Sequence, residues 1–304
     1  MKLRALGSTG LAVSQIGLGL AALGRPAYIT TDRRHDIGDD RSVEAMERRC
    51  HEMLDAAYAC GIRYLDAARS YGLAETFLAN WLNARELPAD ALTVGSKWGY
   101  TYTGAWRLDA PVHEVKDLSV EALRTQHAES RALLGRRLRL YQIHSATLES
   151  GVLDDRRVLG ELARLRSDGL AIGLTVTGPR QADIIRRAMR VDVDGVNPFQ
   201  CVQATWNLLE TSAGPALAEA HDRGWGVVLK EVLANGRLAD RTELAFAAAL
   251  SQPWADVVLS GAVTTGQLQD NIRALDSSTP TDDWLSMAQP PETYWNDRRM
   301  LRWL

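Results

Sequence analysis

The chain has 304 residues, 46% hydrophobic and 24% charged, with a formal net charge of −3, a balance ordinary for a globular protein. Neither the net charge nor any Lys/Arg block gives an electrostatic case for nucleic acid. Cys50, Cys60 and Cys201 show no CxxC pair or metal spacing, no apolar run approaches a membrane span, and the N-terminus carries no signal-type region, so a cytoplasmic protein with reduced thiols is expected.

Residues 3–14 read as a short hairpin around the Gly7-Ser8-Thr9-Gly10 turn. A strand–helix alternation then begins. Strands are predicted near 16–20, 63–67, 92–97, 138–144, 171–176, 196–203, 226–230 and 257–261. Amphipathic stretches of helical period lie at 42–60, 74–86, 119–135, 155–168, 180–190, 212–223, 242–251 and 265–275. Strict alternation specifies right-handed βαβ units and a parallel sheet. Eight such units most simply close into a (β/α)8 TIM barrel with an N-terminal hairpin, residues 1–304 forming a single domain. An open doubly wound sheet is the alternative, but Gly17-Leu18-Gly19 lacks the third glycine of a dinucleotide fingerprint and opens no helix.

Three segments exceed what connections require. Residues 25–41 are polar, with Asp32, Arg33, Arg34, His35, Asp36, Asp39 and Asp40, and are expected to form a lid over the substrate. Residues 99–118 carry Tyr100, Tyr102 and Trp106, which could wall a pocket; the tail after Thr279 carries Trp284, Tyr294, Trp295 and Trp303. For each, packing against the outside of the barrel is the competing reading.

The chemistry concentrates at strand ends. Ile62-Arg63-Tyr64-Leu65-Asp66 ends on an acid, and Tyr71 follows five residues later; two further strands end on Lys97 and His144. In a barrel these ends open on one mouth, so Asp66, Tyr71, Lys97 and His144 are expected to converge. A free tyrosine, with a pKa of about 10, is a poor acid or base near neutrality, and a nearby ammonium favours the phenolate. A carboxylate would hold that lysine charged, while a histidine could donate to a substrate oxygen as negative charge grows on it. The set is a device for exchanging a proton with an oxygen bonded to carbon. With a hydride donor it becomes a carbonyl reductase, or an alcohol dehydrogenase in reverse, and it needs no metal.

Leu6-Gly7-Ser8-Thr9-Gly10-Leu11, Asp66-Ala67-Ala68-Arg69-Ser70-Tyr71-Gly72, Ser96-Lys97, Gln142-Ile143-His144, Ile172-Gly173-Leu174-Thr175 and Gln203-Ala204-Thr205-Trp206-Asn207-Leu208-Leu209 resemble the aldo-keto reductase superfamily. The resemblance implies a nicotinamide cofactor, NADP(H) with NAD(H) also open, bound without a Rossmann domain. It implies Tyr71 as general acid/base, Lys97 and Asp66 tuning it, and His144 orienting and polarising the carbonyl. Thr175 and Gln203 would hold the carboxamide, with Val176 where the family has an amide. Lys230 stands where an aromatic usually stacks on the nicotinamide, and Glu231, its neighbour along the strand, is expected to face away from it. Gly261, Ala262, Thr264, Gln267 and Asn271 match the pyrophosphate and adenosine segment. Val263 and Gln267 occupy the places of the usual cation that reads the 2′-phosphate. The implied substrate is a small carbonyl compound or sugar. Oxidation of an aldose at carbon 1 and a catalytically weak cofactor-sensing protein are the competing readings.

Overall fold

The computed structural model of the protein describes residues 1–29, 34–277 and 282–303. Strands β1 (Leu3–Ala5) and β2 (Ala12–Ser14) form the antiparallel N-terminal hairpin. The barrel strands are β3 (Ile16–Gly19), β4 (Tyr64–Asp66), β5 (Thr93–Trp98), β8 (Leu138–Ala146), β9 (Ala171–Val176), β10 (Cys201–Thr205), β11 (Gly226–Lys230) and β12 (Val257–Ser260). They are parallel, run in chain order around the barrel, and close by pairing β12 with β3. A small antiparallel pair, β6 (Tyr100–Tyr102) and β7 (Glu114–Lys116), rises from the loop after β5.

The helices between strands are α2 (Val43–Ala59), α3 (Ala74–Ala84), α4 (Val120–Leu134), α5 (Arg156–Ser167), α6 (Gln181–Ala188), α7 (Gly214–Asp222), α8 (Thr242–Leu250) and α9 (Thr265–Arg273). Several begin where a polar side chain satisfies the orphan amides of the first turn: Ser42 accepts from Ala45 N, Ser119 from Ala122 N, Asp155 from Val158 N, and Thr264 from Gln267 N. Two helices escaped the periodicity reading, the four-residue α1 (Arg34–Ile37) and α10 (Pro291–Arg299) near the C-terminus.

Strand alternation divides the buried residues into two layers. Outward-facing Leu18, Leu65, Val94, Tyr141, Leu174 and Leu229 join the helices in the larger apolar cluster. The second cluster, Tyr64, Leu140, Cys201, Val228, Val257 and Leu259 with Leu6, Leu11 and Val13, fills the barrel interior under the hairpin. The hairpin seals the N-terminal end of the barrel. Its Gly7 has φ of +49°, and a Cβ there would lie 2.2 Å from Gly226 N. Above the plug, Tyr64 spans the interior because Gly17 and Gly95 leave it room; a Cβ on either would stand 2.7 Å from its ring or hydroxyl.

The strand expected at 196–203 begins later, at Cys201. Pro198 has no N–H for a ladder; the preceding residues close a Val193–Val196 bridge, and Asn197 Oδ1 accepts Phe199 N. Among the described residues no helix is long and apolar enough to cross a membrane.

Candidate active site

Asp66 ends β4 and Lys97 lies on β5, both pointing into the barrel, and both are buried. Lys97 Nζ donates to Asp66 Oδ2 at 2.5 Å and to the Ala67 carbonyl at 2.9 Å. Asp66 Oδ1 accepts from Gln203 Nε2 at 3.0 Å and from the Tyr64 hydroxyl at 3.3 Å. The carboxylate therefore has donors from two other strands, β5 and β10, and one from its own. Burial lowers the pKa of Lys97, and the Asp66 charge opposes that shift.

Tyr71 sits in the turn after β4, which Arg25 helps to hold. The Arg25 guanidinium donates to the Ser70 carbonyl at 3.0 Å, pairs with Glu114 at 3.0 Å, and lies 5.2 Å from the Tyr71 ring. Lys97 Nζ lies 4.7 Å from the same ring. The expected depression of the phenol is absent. Burial pushes its pKa well above 10 and the Asp66 charge adds to that, with Arg25 in opposition. Tyr71 is a protonated acid at neutral pH.

His144 is brought into the cleft near the end of β8, where the register slips between Ile143 and Ala146 and Ser145 takes φ of +55°. Its ring meets Tyr71 edge-on at 5.5 Å and Tyr100 at 5.0 Å. Burial holds its pKa well below the usual imidazole range, and Lys97, Arg25, Lys230 and Lys116 push the same way. The imidazole is neutral. Ser70 Oγ lies 3.4 Å from Nδ1; with Ser70 donating, Nε2 carries the proton. The four residues that sequence reading singled out are thus in one place.

The residues expected to hold a cofactor divide. Thr175 and Gln203 line the same cleft, Thr175 Oγ1 accepting Ser145 N at 2.7 Å. Gln203 already gives its amide nitrogen to Asp66. Val176 faces the apolar layer behind the barrel. Lys230 also lines the cleft, and its setting corrects an expectation. Glu231 does not face away: β11 stops at Lys230, Glu231 takes φ of +57°, and its carboxylate comes within 3.7 Å of the ammonium. Arg298 of α10 holds Glu231 more tightly, Nε to Oε2 at 2.8 Å and Nη2 to Oε1 at 2.5 Å. Lys230 Nζ donates to Thr205 Oγ1 at 2.8 Å. Burial lowers its pKa to about 8 against the pull of Glu231, while Glu231 is held down to about 2 by Arg298 and then Lys230, against burial.

The cleft encloses about 510 Å³, the size of a small-molecule site. It runs from Tyr71 and His144 past Gly261 and Ala262 to Gln267, Asp270 and Asn271 at α9. A nicotinamide dinucleotide fits it in one respect that depends on this chain. Gly261 presents bare backbone to the cleft, with nothing within 4 Å of where a Cβ would stand. At the α9 end, Gln267 Nε2 donates to Asp36, Gln267 Oε1 accepts Val263 N, and Asp270 is paired with Arg273. Asn271 is buried against Ser260, and Thr264 caps the helix. Among the described residues no cluster of metal ligands occurs.

Of the long segments, 25–41 brings Arg25, Tyr28, Ile29 and Asp36 to the cleft, and its residues 30–33 lie outside the described residues. Trp106 turns away and donates to the Arg41 carbonyl, whereas Tyr100 reaches His144. Trp284 packs on Trp206 behind the barrel, but Trp303 reaches the rim, pairing with Ile29, stacking on His113 at 4.4 Å and standing 4.6 Å from Arg25. Arg25 and Arg298 escaped the sequence reading. For Arg298 a signal existed: Pro290-Pro291-Glu292 is a helix start, and it puts Arg298 in the last turn.

Residues 15–248 match the Aldo/keto reductase family. The chain is 29% identical over 257 residues to a D-threo-aldose 1-dehydrogenase of a Pseudomonas species, covering 77% of this chain and 72% of that protein. It is 24% identical over 245 residues to an L-galactose dehydrogenase of Arabidopsis thaliana, covering 79% and 68%. A solved structure from Pseudomonas aeruginosa, assigned to the aldo-keto reductases, superposes with a TM-score of 0.67 at 25% identity over 90% of this chain and 95% of that one. The holo form of an aldo-keto reductase from Bacillus halodurans gives 0.67 at 20% identity over 98% and 96%, a likeness of fold. With most of its length matched and the barrel shared, the chain belongs to the aldo/keto reductase family, oxidoreductases that interconvert carbonyls and alcohols.

Proposed function

We propose that the protein is an NAD(P)(H)-dependent oxidoreductase in which Tyr71 exchanges the proton, His144 holds the reacting oxygen, and Lys97 with Asp66 and Arg25 sets the charge around them. One observation carries this reading: the Tyr71 ring and the His144 imidazole, edge to face at 5.5 Å, face one cleft beside a buried Lys–Asp pair. A nicotinamide, when bound, supplies the hydride for reduction or accepts it for oxidation. The remaining chemistry belongs to the chain. The His144 Nε2–H donates to the substrate oxygen and stabilises charge developing there. Tyr71 gives that oxygen its proton in reduction and takes it back in oxidation. The tyrosinate left by reduction faces two cations, Lys97 and Arg25.

Thr175, Gln203 and Lys230 would lie along the nicotinamide half of the cofactor, and Gly261, Ala262, Thr264, Gln267 and Asn271 along the other half. Val263 and Gln267 stand where a cation would read a 2′-phosphate, which supports acceptance of NAD(H) alongside NADP(H). Two relatives named for oxidising sugars support a sugar hydroxyl as substrate and the oxidative direction. The test is a panel of aldehydes, ketones and aldoses with each cofactor, followed at the nicotinamide absorbance. Turnover with at least one pair, lost in Tyr71→Phe, supports the reading; no turnover with any pair overturns it in favour of a cofactor-binding protein.

A further inference from the structure

The deep end of the cleft holds more positive than negative charge. Three cations there have a carboxylate to themselves at hydrogen-bond distance: Lys97 has Asp66, Arg25 has Glu114, and Arg298 has Glu231. Lys230 has none. Glu231, with both oxygens on Arg298, stands 3.7 Å from its ammonium, too far for a hydrogen bond. An ammonium carries three N–H donors, and the hydrogen bond Lys230 makes among the described residues is to Thr205 Oγ1. Its side chain is only 16% exposed, so water cannot solvate it freely, yet it lines the cleft that Tyr71 and His144 line. A mostly buried cation with spare donors aimed into a binding cleft obtains its missing counter-charge from the ligand.

We propose that Lys230 anchors a carboxylate of the substrate, so that the preferred substrate is a carbonyl or sugar acid rather than its neutral counterpart. The inference rests on the oxidoreductase reading and adds the substrate class to it. The carboxylate would take the two donors that Thr205 leaves, while the reacting carbon of the same small molecule lies at Tyr71 and His144. Binding adds one negative charge where the described groups leave one positive charge over. The Thr205 hydroxyl fixes the direction of the lysine and so the place of the anion.

Matched pairs test it: galacturonate against galactose, and 4-oxobutanoate against butanal, with the native protein, Lys230→Met and Lys230→Arg. The native protein is expected to favour each acid in kcat/KM. Lys230→Met should cost the acids roughly tenfold to a hundredfold more in kcat/KM than it costs their neutral partners, the span of a hydrogen-bonded charge pair. Lys230→Arg should keep most of the preference for acids, which shows that a cation at this position, and not packing, is responsible. Equal loss on acids and neutral compounds, accompanied by weaker NADH and NADPH binding by fluorescence titration, would assign Lys230 to a cofactor phosphate and overturn the proposal. Absence of any preference in the native protein would also overturn it. Should no compound turn over, the oxidoreductase reading falls first. Calorimetric binding of galacturonate and galactose to the native protein and Lys230→Met then decides the lysine's role separately, and equal affinities sink it.

Discussion

Two lysines face the interior of this barrel, and their surroundings differ. Lys97 is wholly buried with a carboxylate at 2.5 Å and a carbonyl at 2.9 Å. Lys230 lies at the end of β11 with a hydroxyl at 2.8 Å and a carboxylate that Arg298 has already taken. A buried charge with a full set of partners is fixed in place and biases its neighbours. One with an incomplete set costs stability until something enters the cleft. The contrast separates tuning from binding within a single cavity.

The sharpest way to break the contrast is on the Lys97 side. Tyr71→Phe should lower kcat by roughly 10²-fold or more, the usual scale for a lost acid or base, with cofactor affinity unchanged. Lys97→Met should do comparable damage to turnover, because one of two cations facing the tyrosinate is lost. Retention of most activity by either variant would remove that residue from proton transfer.

Stability should move in opposite directions for the two lysines. Lys97→Met strands Asp66, and breaking a buried pair costs about 3–5 kcal/mol. Lys230→Met removes a charge whose pKa falls from 10.5 to about 8 on folding, so the variant should gain up to roughly 3 kcal/mol near neutrality, less whatever Thr205 and Glu231 lose. Between those two pKa values the unfolded chain binds the extra proton, so native stability rises with pH across that window and the variant's advantage fades toward pH 10.5. Denaturant melts at pH 7 and pH 10 measure this. Two losses would mean that Lys230 is as fully partnered as Lys97, and an advantage that does not change with pH would assign the gain to packing and not to the charge.

A pH profile sharpens the same contrast from the side of Tyr71. With the phenol raised well above 10, the base form is scarce, and oxidation should quicken with pH throughout the assayable range. Reduction, which uses the protonated form, should stay flat there at saturating substrate. An oxidative plateau near neutrality would show that the bound state draws the phenol down. The smallest effect is expected at the α9 end. With Val263 and Gln267 where a cation would read a 2′-phosphate, NADPH and NADH dissociation constants should differ by less than roughly tenfold.

The barrel was legible because its signal is repetitive: alternating strand and helix periods survive an error in any one element. The strand at β10 was placed early because Val196 and Phe199 look like strand residues, while Pro198 between them forbids the ladder. Asp66, Tyr71, Lys97 and His144 were legible as strand-end residues, since a parallel barrel brings all such ends to one mouth. Arg25 and Arg298 were not. Each reaches the cleft from a segment whose path depends on tertiary contacts, Arg25 through the Ser70 carbonyl and Arg298 through Glu231. The position of Glu231 was misjudged because period-two alternation ends where the strand ends, and a residue with φ of +57° obeys no alternation.

The two ends of the chain leave the barrel at opposite poles, which matters to anyone who fastens something to it. Met1 lies against Gly61 on the side sealed by the hairpin, whereas Trp303 packs between His113 and Arg25 at the rim of the cleft. A fluorophore, affinity handle or surface tether attached before Met1 departs from the plugged pole and leaves the cleft untouched. The same attachment after the C-terminal residue pulls directly on Trp303, and through Arg25 on the turn that carries Tyr71.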